Sequence, residues 1–395
     1  MNTDDKLIDI LYRSLSSEIR ENVDLAVSTI VSTKKKSGNI VVVTGSGPNL
    51  HEGATTLIAE LINKGIIDGV TTSSAVIAHE MAGVLEKVKR VDGKKLGFSS
   101  DILPRGDIFE ITIMPDEQLS QIKEEMLIDT DLIDKALALK GDIIIKAAGN
   151  MAYPLGLRTE NLAREILLIA RSKGVSFETI AGYGADHRTM IGAAISRGIP
   201  VLVTVPQLIG GGMVGIAIGD SISIAERTTK IAQMMQNADV IIESAVVLTQ
   251  EIHDGPFETY TGHGIWSNWE GYPTYSLEEK VLIRIDLDPN LKCACDAEKK
   301  SGEVQKAINK GLPKTKLMEI PFRMEMSGFA RLEKSIPIVA DIGVVWPIMA
   351  YRIAKELDIV LNFISYPQQS AEGKRMREWI VENILPIDKK KLFGE

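Results

Sequence analysis

Asn39-Ile40-Val41-Val42-Val43-Thr44-Gly45-Ser46-Gly47-Pro48-Asn49-Leu50-His51-Glu52-Gly53 is the stretch that decides the fold. Asn39–Thr44 is a short run dominated by β-branched residues, the pattern of a strand buried on both faces. It passes directly into a loop with glycines at 45, 47 and 53. Helical periodicity then runs from about Glu52 to Asn63 and stops at Gly65. Glycines let a backbone approach a phosphate, and the free N–H groups at a helix start favour an anion. The loop is not G-x-G-x-x-G, because Leu50 stands where the third glycine belongs. No Gly-Lys-Ser/Thr follows it either. A tight βα turn without a ligand therefore stays open as the alternative to nucleotide binding.

Outward from this stretch the same alternation continues. Strands are expected at Ile67–Thr71, Asp142–Ala147, Ile199–Val205, Asp239–Leu248, Val281–Leu287 and Ile336–Ala340. Helices are expected at Ser74–Lys87, Thr159–Lys173, His187–Ser196, Ser221–Gln236 and Val344–Leu357, with a further one over 370–384 packed outside. Strands separated by helices imply a doubly wound, mostly parallel α/β sheet, Rossmann-like, with helices on both faces. Residues 1–38 read as an N-terminal helical arm. Residues 39–395 read as a single large α/β domain with an ordered loop insertion at about 249–280. The pieces 88–118, 249–280 and 288–335 show no regular pattern.

Three further loops fall at expected carboxyl ends of strands, where open α/β sheets bind ligands. Thr71-Thr72-Ser73-Ser74 stands where a dinucleotide fold usually carries an acid for the ribose. Its hydroxyls could serve a ribose or phosphate, or Ser73 could simply cap the next helix. Gly210-Gly211-Gly212 implies close backbone approach, to a ligand or to a packed helix. Asp341-Ile342-Gly343 follows the last strand. Convergence of all four loops on one edge is stronger than any one of them.

The five histidines, at 51, 79, 187, 253 and 263, each lie beside an acid or a glycine. His51, inside the glycine loop, is the first choice as acid or base, and His79 with Glu80 the second. Glu243 interrupts an apolar strand, so it is paired, functional, or at an exposed end. No H-x-x-x-H or H-E-x-x-H spacing occurs, and no metal is expected.

Composition narrows the classes. The chain has 395 residues, 45% hydrophobic and 25% charged, with a formal net charge of -8. Acidic balance and basic runs no longer than Lys34–Lys36 and Lys389–Lys391 argue against nucleic acid. Cys293 and Cys295 are too close to bridge readily and complete no zinc site, so they are expected as buried or half-buried thiols in a reducing cytosol. The start Met-Asn-Thr-Asp-Asp-Lys lacks the pattern of a signal peptide. The longest apolar run, Val201 to Gly219, is broken by Pro206, Gln207 and glycines, against a membrane span. A cytoplasmic protein is expected.

Several of these motifs, in this order, resemble a known family. Val41–Leu85 resembles deoxyhypusine synthase, with its Thr-Ser-Asn-Leu loop, helix, and strand ending in Thr-Thr. Ile199-Pro200-Val201 and Val339-Ala340-Asp341-Ile342-Gly343-Val344-Val345-Trp346-Pro347 also resemble pieces of that enzyme. The resemblance is closer to the NAD-binding domain of archaeal ornithine cyclodeaminase (LOR/SDH type), whose Val-Val-His-Thr-Gly loop matches Asn49-Leu50-His51-Glu52-Gly53. That family also has a His-Asp pair near His79-Glu80, an Asp-Ile-Asn-Pro like Asp286-Leu287-Asp288-Pro289, and a Thr-Asp-Val-Gly like 340–343.

The resemblance implies a deoxyhypusine-synthase-like fold, bound NAD and a homo-oligomer, dimer or tetramer. It carries NAD contact onto Gly45, Ser46, Asn49, Thr72, Ser73, Asp341 and Gly343. Gly47, Ser74 and Gly211 join them from the loop reading. Two departures stand out. The imine-forming lysine of deoxyhypusine synthase is missing from Ser327-Gly328-Phe329-Ala330-Arg331, with Lys334 displaced. Residues 1–38 are also too short to replace the cyclodeaminase front domain. The leading expectation is an NAD-dependent enzyme that removes a hydride from a C–N carbon of a small amine or amino acid, the imine then being hydrolysed or cyclised. The alternatives are a non-catalytic nucleotide-binding relative, or a hydrolase or transferase using the glycine loops for another phosphate ligand.

Overall fold

The computed structural model describes residues 4–393 apart from 46, 150, 205–210, 246–276, 278, 287–288, 290–292, 294–295, 297–298, 303–305, 307–309 and 311–333. Most of the 249–280 insertion, with His253 and His263, lies outside the described residues. So do Ser46, Gly210 and Ser327–Arg331.

The strands are β1 (Ile40–Thr44), β2 (Gly69–Thr72), β3 (Leu85–Asp92), β4 (Ile108–Ile113), β5 (Asp142–Ala147), β6 (Val201–Val203), β7 (Val240–Ser244), β8 (Val281–Asp286) and β9 (Ser335–Val339). Six of them form one parallel sheet in the order β6-β2-β1-β7-β8-β9. Every residue of β1, β2 and β7 is buried, as their apolar runs require. The chain walks from β1 through β2 to β6, then re-enters at β7 on the other side of β1 and walks the opposite way. The order therefore reverses between β1 and β7. That is the topological switch point, whose carboxyl end is a crevice in doubly wound folds.

Helices cover both faces. Val41 pairs with Gly69 on one face, where a Cβ on Gly69 would fall 2.7 Å from Sδ of Met234 in the Ile224–Asn237 helix. Ser244, the register partner of Thr44, accepts a hydrogen bond from Trp346 Nε1 at 2.7 Å in the Ile342–Glu356 helix. Val41 and Thr44 are three residues apart on a strand and point to opposite sides. The N-terminal arm is a pair of helices, Asp5–Ser14 and Ser17–Lys35, capped by Asp4 and Ser16. The arm buries Val23, Ala26, Val27, Ile30 and Val31 in the same core as Trp346.

Several sequence expectations need correction. Asp142–Ala147 is a strand but not part of the parallel sheet. It is β5, antiparallel to β3 in a second sheet of order β4-β3-β5. The expected helix Ser74–Lys87 ends at Met81. Gly83 and Val84 adopt φ of 97° and 71°, and the chain leaves as β3. Val84, Val88 and Val91 sit at helical spacing, which disguised the strand. The piece 88–118 consequently holds most of β3 and all of β4. Helices also form at Phe177–Gly184 and Met213–Ser221, outside the set the periodicity marks. Cys293 is exposed, not buried or half-buried. Glu243 lies at no exposed end: it is fully buried beside Arg284 of β8, Oε2 to Nε 3.6 Å. No described helix is long and apolar enough to cross a membrane.

Candidate functional site

The carboxyl end of β1 passes into a short turn. Gly47 takes φ 40°, Pro48–His51 forms one helical turn, and Gly53 takes φ 69° to start the Ala54–Asn63 helix. Gly53 is needed for space as well, since a Cβ would lie 2.6 Å from Met376 Sδ. Leu50 is fully buried and anchors the turn, which explains why it replaces a glycine.

Asn49 is also fully buried. Its amide donates to Ser244 O at 3.1 Å and Gly45 O at 3.5 Å, and accepts from Ser244 Oγ at 2.5 Å. It clamps the ends of β1 and β7 together, with Trp346 locking Ser244 behind it. On the other side of β1 the strand ends carry Thr44, Thr72 and Thr204. All are fully buried, and their hydroxyls have no partner among the described residues. Ser73 caps the Ser74–Met81 helix through Val76 N–H at 3.2 Å. Gly211 lies against that helix start, where a Cβ would fall 2.7 Å from Ser74 O. The structure thus brings Gly211 to the Thr72–Ser74 turn.

His51 and His79 face the same edge. His79 Nδ1 lies 2.6 Å from Ala148 O. A carbonyl only accepts, so Nδ1 carries the proton and Nε2 keeps a lone pair. His51 Nδ1 lies 3.3 Å from Arg377 Nη2. A guanidinium only donates, so here Nδ1 accepts and the neutral ring holds its proton on Nε2. Burial lowers the pKa of His51, with the charges of Arg377, His79 and Lys146 acting in the same direction. Burial likewise lowers that of His79, opposed by the Ala148 bond and aided by Lys146. Two neutral imidazoles result, one offering a base and the other an acid.

Glu52 ties this cluster to the start of the Ile342–Glu356 helix and to Gln368. Its carboxylate accepts from Gln368 N at 2.8 Å and Gln368 Nε2 at 2.7 Å. It also fills the place a side chain at 343 would take, 2.2 Å from an ideal Cβ on Gly343. Asp341 caps the Ile342–Glu356 helix through Gly343 N–H at 2.8 Å. Burial raises the pKa of Glu52, the Gln368 bonds oppose it, and Asp341's charge adds to the rise.

Glu80 does not join the histidines. Both of its oxygens accept from the N-terminus of the Met190–Arg197 helix, Met190 N–H at 2.8 Å and Ile191 N–H at 3.1 Å. It is fully buried, and burial pushes its carboxyl up to about 7. Successive helix residues point about 100° apart, so His79 and Glu80 serve different neighbours.

Residues not foreseen are Lys146 of β5, Arg377 of the Ala371–Asn383 helix, Glu52 and Gln368. Arg377 follows the buried Met376 and precedes the buried Ile380 on an apolar helix face, the one local sign that it points inward. Among the described residues no group of His, Cys, Asp or Glu is arranged to hold a metal.

No family model matches the chain, and no curated protein matches its sequence. Solved structures that align with it include a putative deoxyhypusine synthase from Entamoeba histolytica, at 11% identity and TM-score 0.42 over 89% of this chain and 96% of that one. A putative LOR/SDH protein from Methanococcus maripaludis aligns at 13% and 0.36, over 90% and 70%. AgrE in complex with ornithine and NAD+ aligns at 12% and 0.39, over 87% of this chain and 34% of that one. The chain spans about a third of the length of AgrE and of the arginine dihydrolase ArgZ. At such identities and TM-scores, the fold assignment rests on strand order and register alone.

Proposed function

We propose that this chain is an NAD-binding enzyme acting on a small amine or amino acid, with the nucleotide across the β2–β1 carboxyl edge. The motif resemblance supplies the cofactor and the substrate class. One observation supports this placement: among the described residues three buried hydroxyls, Thr44, Thr72 and Thr204, have no protein partner at the carboxyl ends of β1, β2 and β6, beside the glycine loop. Unpaired buried hydroxyls are costly unless something bonds them, and a ribose or phosphate is rich in such partners. The fit extends to Gly47, around which a Cβ would meet nothing within 4 Å, and to Gly45, where a Cβ would make only an ordinary contact. NAD would supply a hydride acceptor at a C–N carbon. His79 Nε2 would take a proton from the substrate ammonium as the carbon gives up its hydride, and His51 Nε2–H would donate a hydrogen bond that orients the substrate. A homo-oligomer in the cytoplasm completes the reading.

Gly45→Ala is the test. A Cβ there makes only an ordinary 3.6 Å contact with Ala245 O, and the residue has no positive φ. The variant should therefore fold as wild type, yet obstruct a phosphate. NADH fluorescence should show saturable binding to wild type and at least a roughly tenfold loss in Gly45→Ala at unchanged Tm. Absence of NAD(H) binding to wild type at millimolar concentration would overturn the reading.

A further inference from the structure

A cavity of about 350 Å³ lies beside β4; it shares Lys146, whose charge also acts on His51, with the histidine cluster. Its size is that of a small-molecule site, about 300–1,000 Å³. One wall is the 93–107 excursion between β3 and β4. This excursion is closed at its root by Gly93 N–H to Asp107 O at 2.8 Å and by Lys94 to Asp107 at 2.6 Å. Leu103 packs back on Gly93, leaving no room for a Cβ there. Phe98 stacks on Phe109 with ring centroids 5.2 Å apart, and Ile102 and Met151 form a rim, 70% and 62% exposed. This wall is a built platform of apolar surface, not a frayed loop.

The other wall is charged and unbalanced. Glu110 takes Lys146 at 2.6 Å and Arg90 at 3.3 Å. Arg105 lines the same cavity with no acidic partner among the described residues. Three cations therefore meet one carboxylate. Glu86, across the β3–β5 ladder from Lys146, is not among the residues lining the cavity. Burial raises its carboxyl to about 7, Thr112 and Gly149 bonding it on the protein side.

We propose that this cavity binds a small amphipathic carboxylate, its apolar stem against Phe98, Ile102 and Met151 and its carboxylate between Arg105 and the Arg90–Lys146 pair. Cations bearing spare N–H donors hold a carboxylate by charge-assisted bonds. A polyamine would be repelled, and an ion without a stem would leave the apolar wall wet. The assignment does not depend on NAD, and binding is measured without it.

The experiment is calorimetric titration of the full chain with phenylacetate, hexanoate, phenylacetamide and inorganic phosphate. Both carboxylates should bind saturably, with the amide and phosphate at least about tenfold weaker. Arg105→Gln, at an exposed position, should keep the wild-type Tm and weaken phenylacetate about tenfold while leaving the amide unchanged. Phe98→Ala should weaken phenylacetate more than phosphate. Equal affinity for acid and amide, phosphate binding as tightly as phenylacetate, indifference to Arg105→Gln, or no binding of either carboxylate would each overturn the proposal.

Discussion

The two sides of β1 treat their polar groups in opposite ways. Towards β7, Asn49, Ser244 and Trp346 form a closed chain of hydrogen bonds in which every side chain has a protein partner. Towards β2 and β6, Thr44, Thr72 and Thr204 are equally buried and their hydroxyls have none among the described residues. The first side holds the switch point together; the second is where a ligand's polar groups would complete the structure. Burial alone does not separate scaffold from site here. At these strand ends, satisfaction of the buried groups separates the two sides, although Thr55, Thr56, Thr71 and Ser365 elsewhere also lack a partner among the described residues.

The largest effect should come from the closed side. Asn49→Ala strands two carbonyls and a hydroxyl, and should cost about 3–4 kcal/mol in urea unfolding; a loss below about 1 kcal/mol would break the comparison. Next comes pH. Glu80 and Glu86 are raised from 4.5 to about 7. A carboxyl raised on folding contributes stability that is full below its unfolded pKa and is lost as pH rises through the folded one. Unfolding free energy should therefore fall between about pH 5 and pH 8, by on the order of 2–3 kcal/mol for each group. Glu80→Gln should flatten the slope, and an unchanged slope would contradict its assignment as a buried helix cap.

Smaller effects test the open side. Ser73→Ala removes the cap on the Ser74–Met81 helix and should cost about 1 kcal/mol, read as a lower Tm. Thr72→Val keeps shape and removes only the unpartnered hydroxyl. Its expected stability change is within about 0.5 kcal/mol of zero. A cost above about 1 kcal/mol would mean that the hydroxyl has a protein partner after all.

The β1 turn was legible because its signals are local: a β-branched run, glycines at set places, and a helix directly after. The small sheet was not, because Val84, Val88 and Val91 mimic a helix while Lys87, Lys89 and Arg90 hide the strand alternation. Pairing with β4 and β5, not local pattern, decides that segment. In the site, His51 and His79 could be chosen from their neighbours in sequence. Lys146 and Arg377 could not, because they arrive from β5 and the C-terminal helix. Adjacency in sequence joins Glu80 to His79, but a helix turns the two in different directions.

The most direct test of the open side as a nucleotide site is NADH titration of wild type against a Thr44→Val/Thr72→Val double variant. Saturable wild-type binding, weakened about tenfold in the double variant at unchanged Tm, is the expected result. Equal affinity in the two proteins, or no binding to wild type, would contradict it.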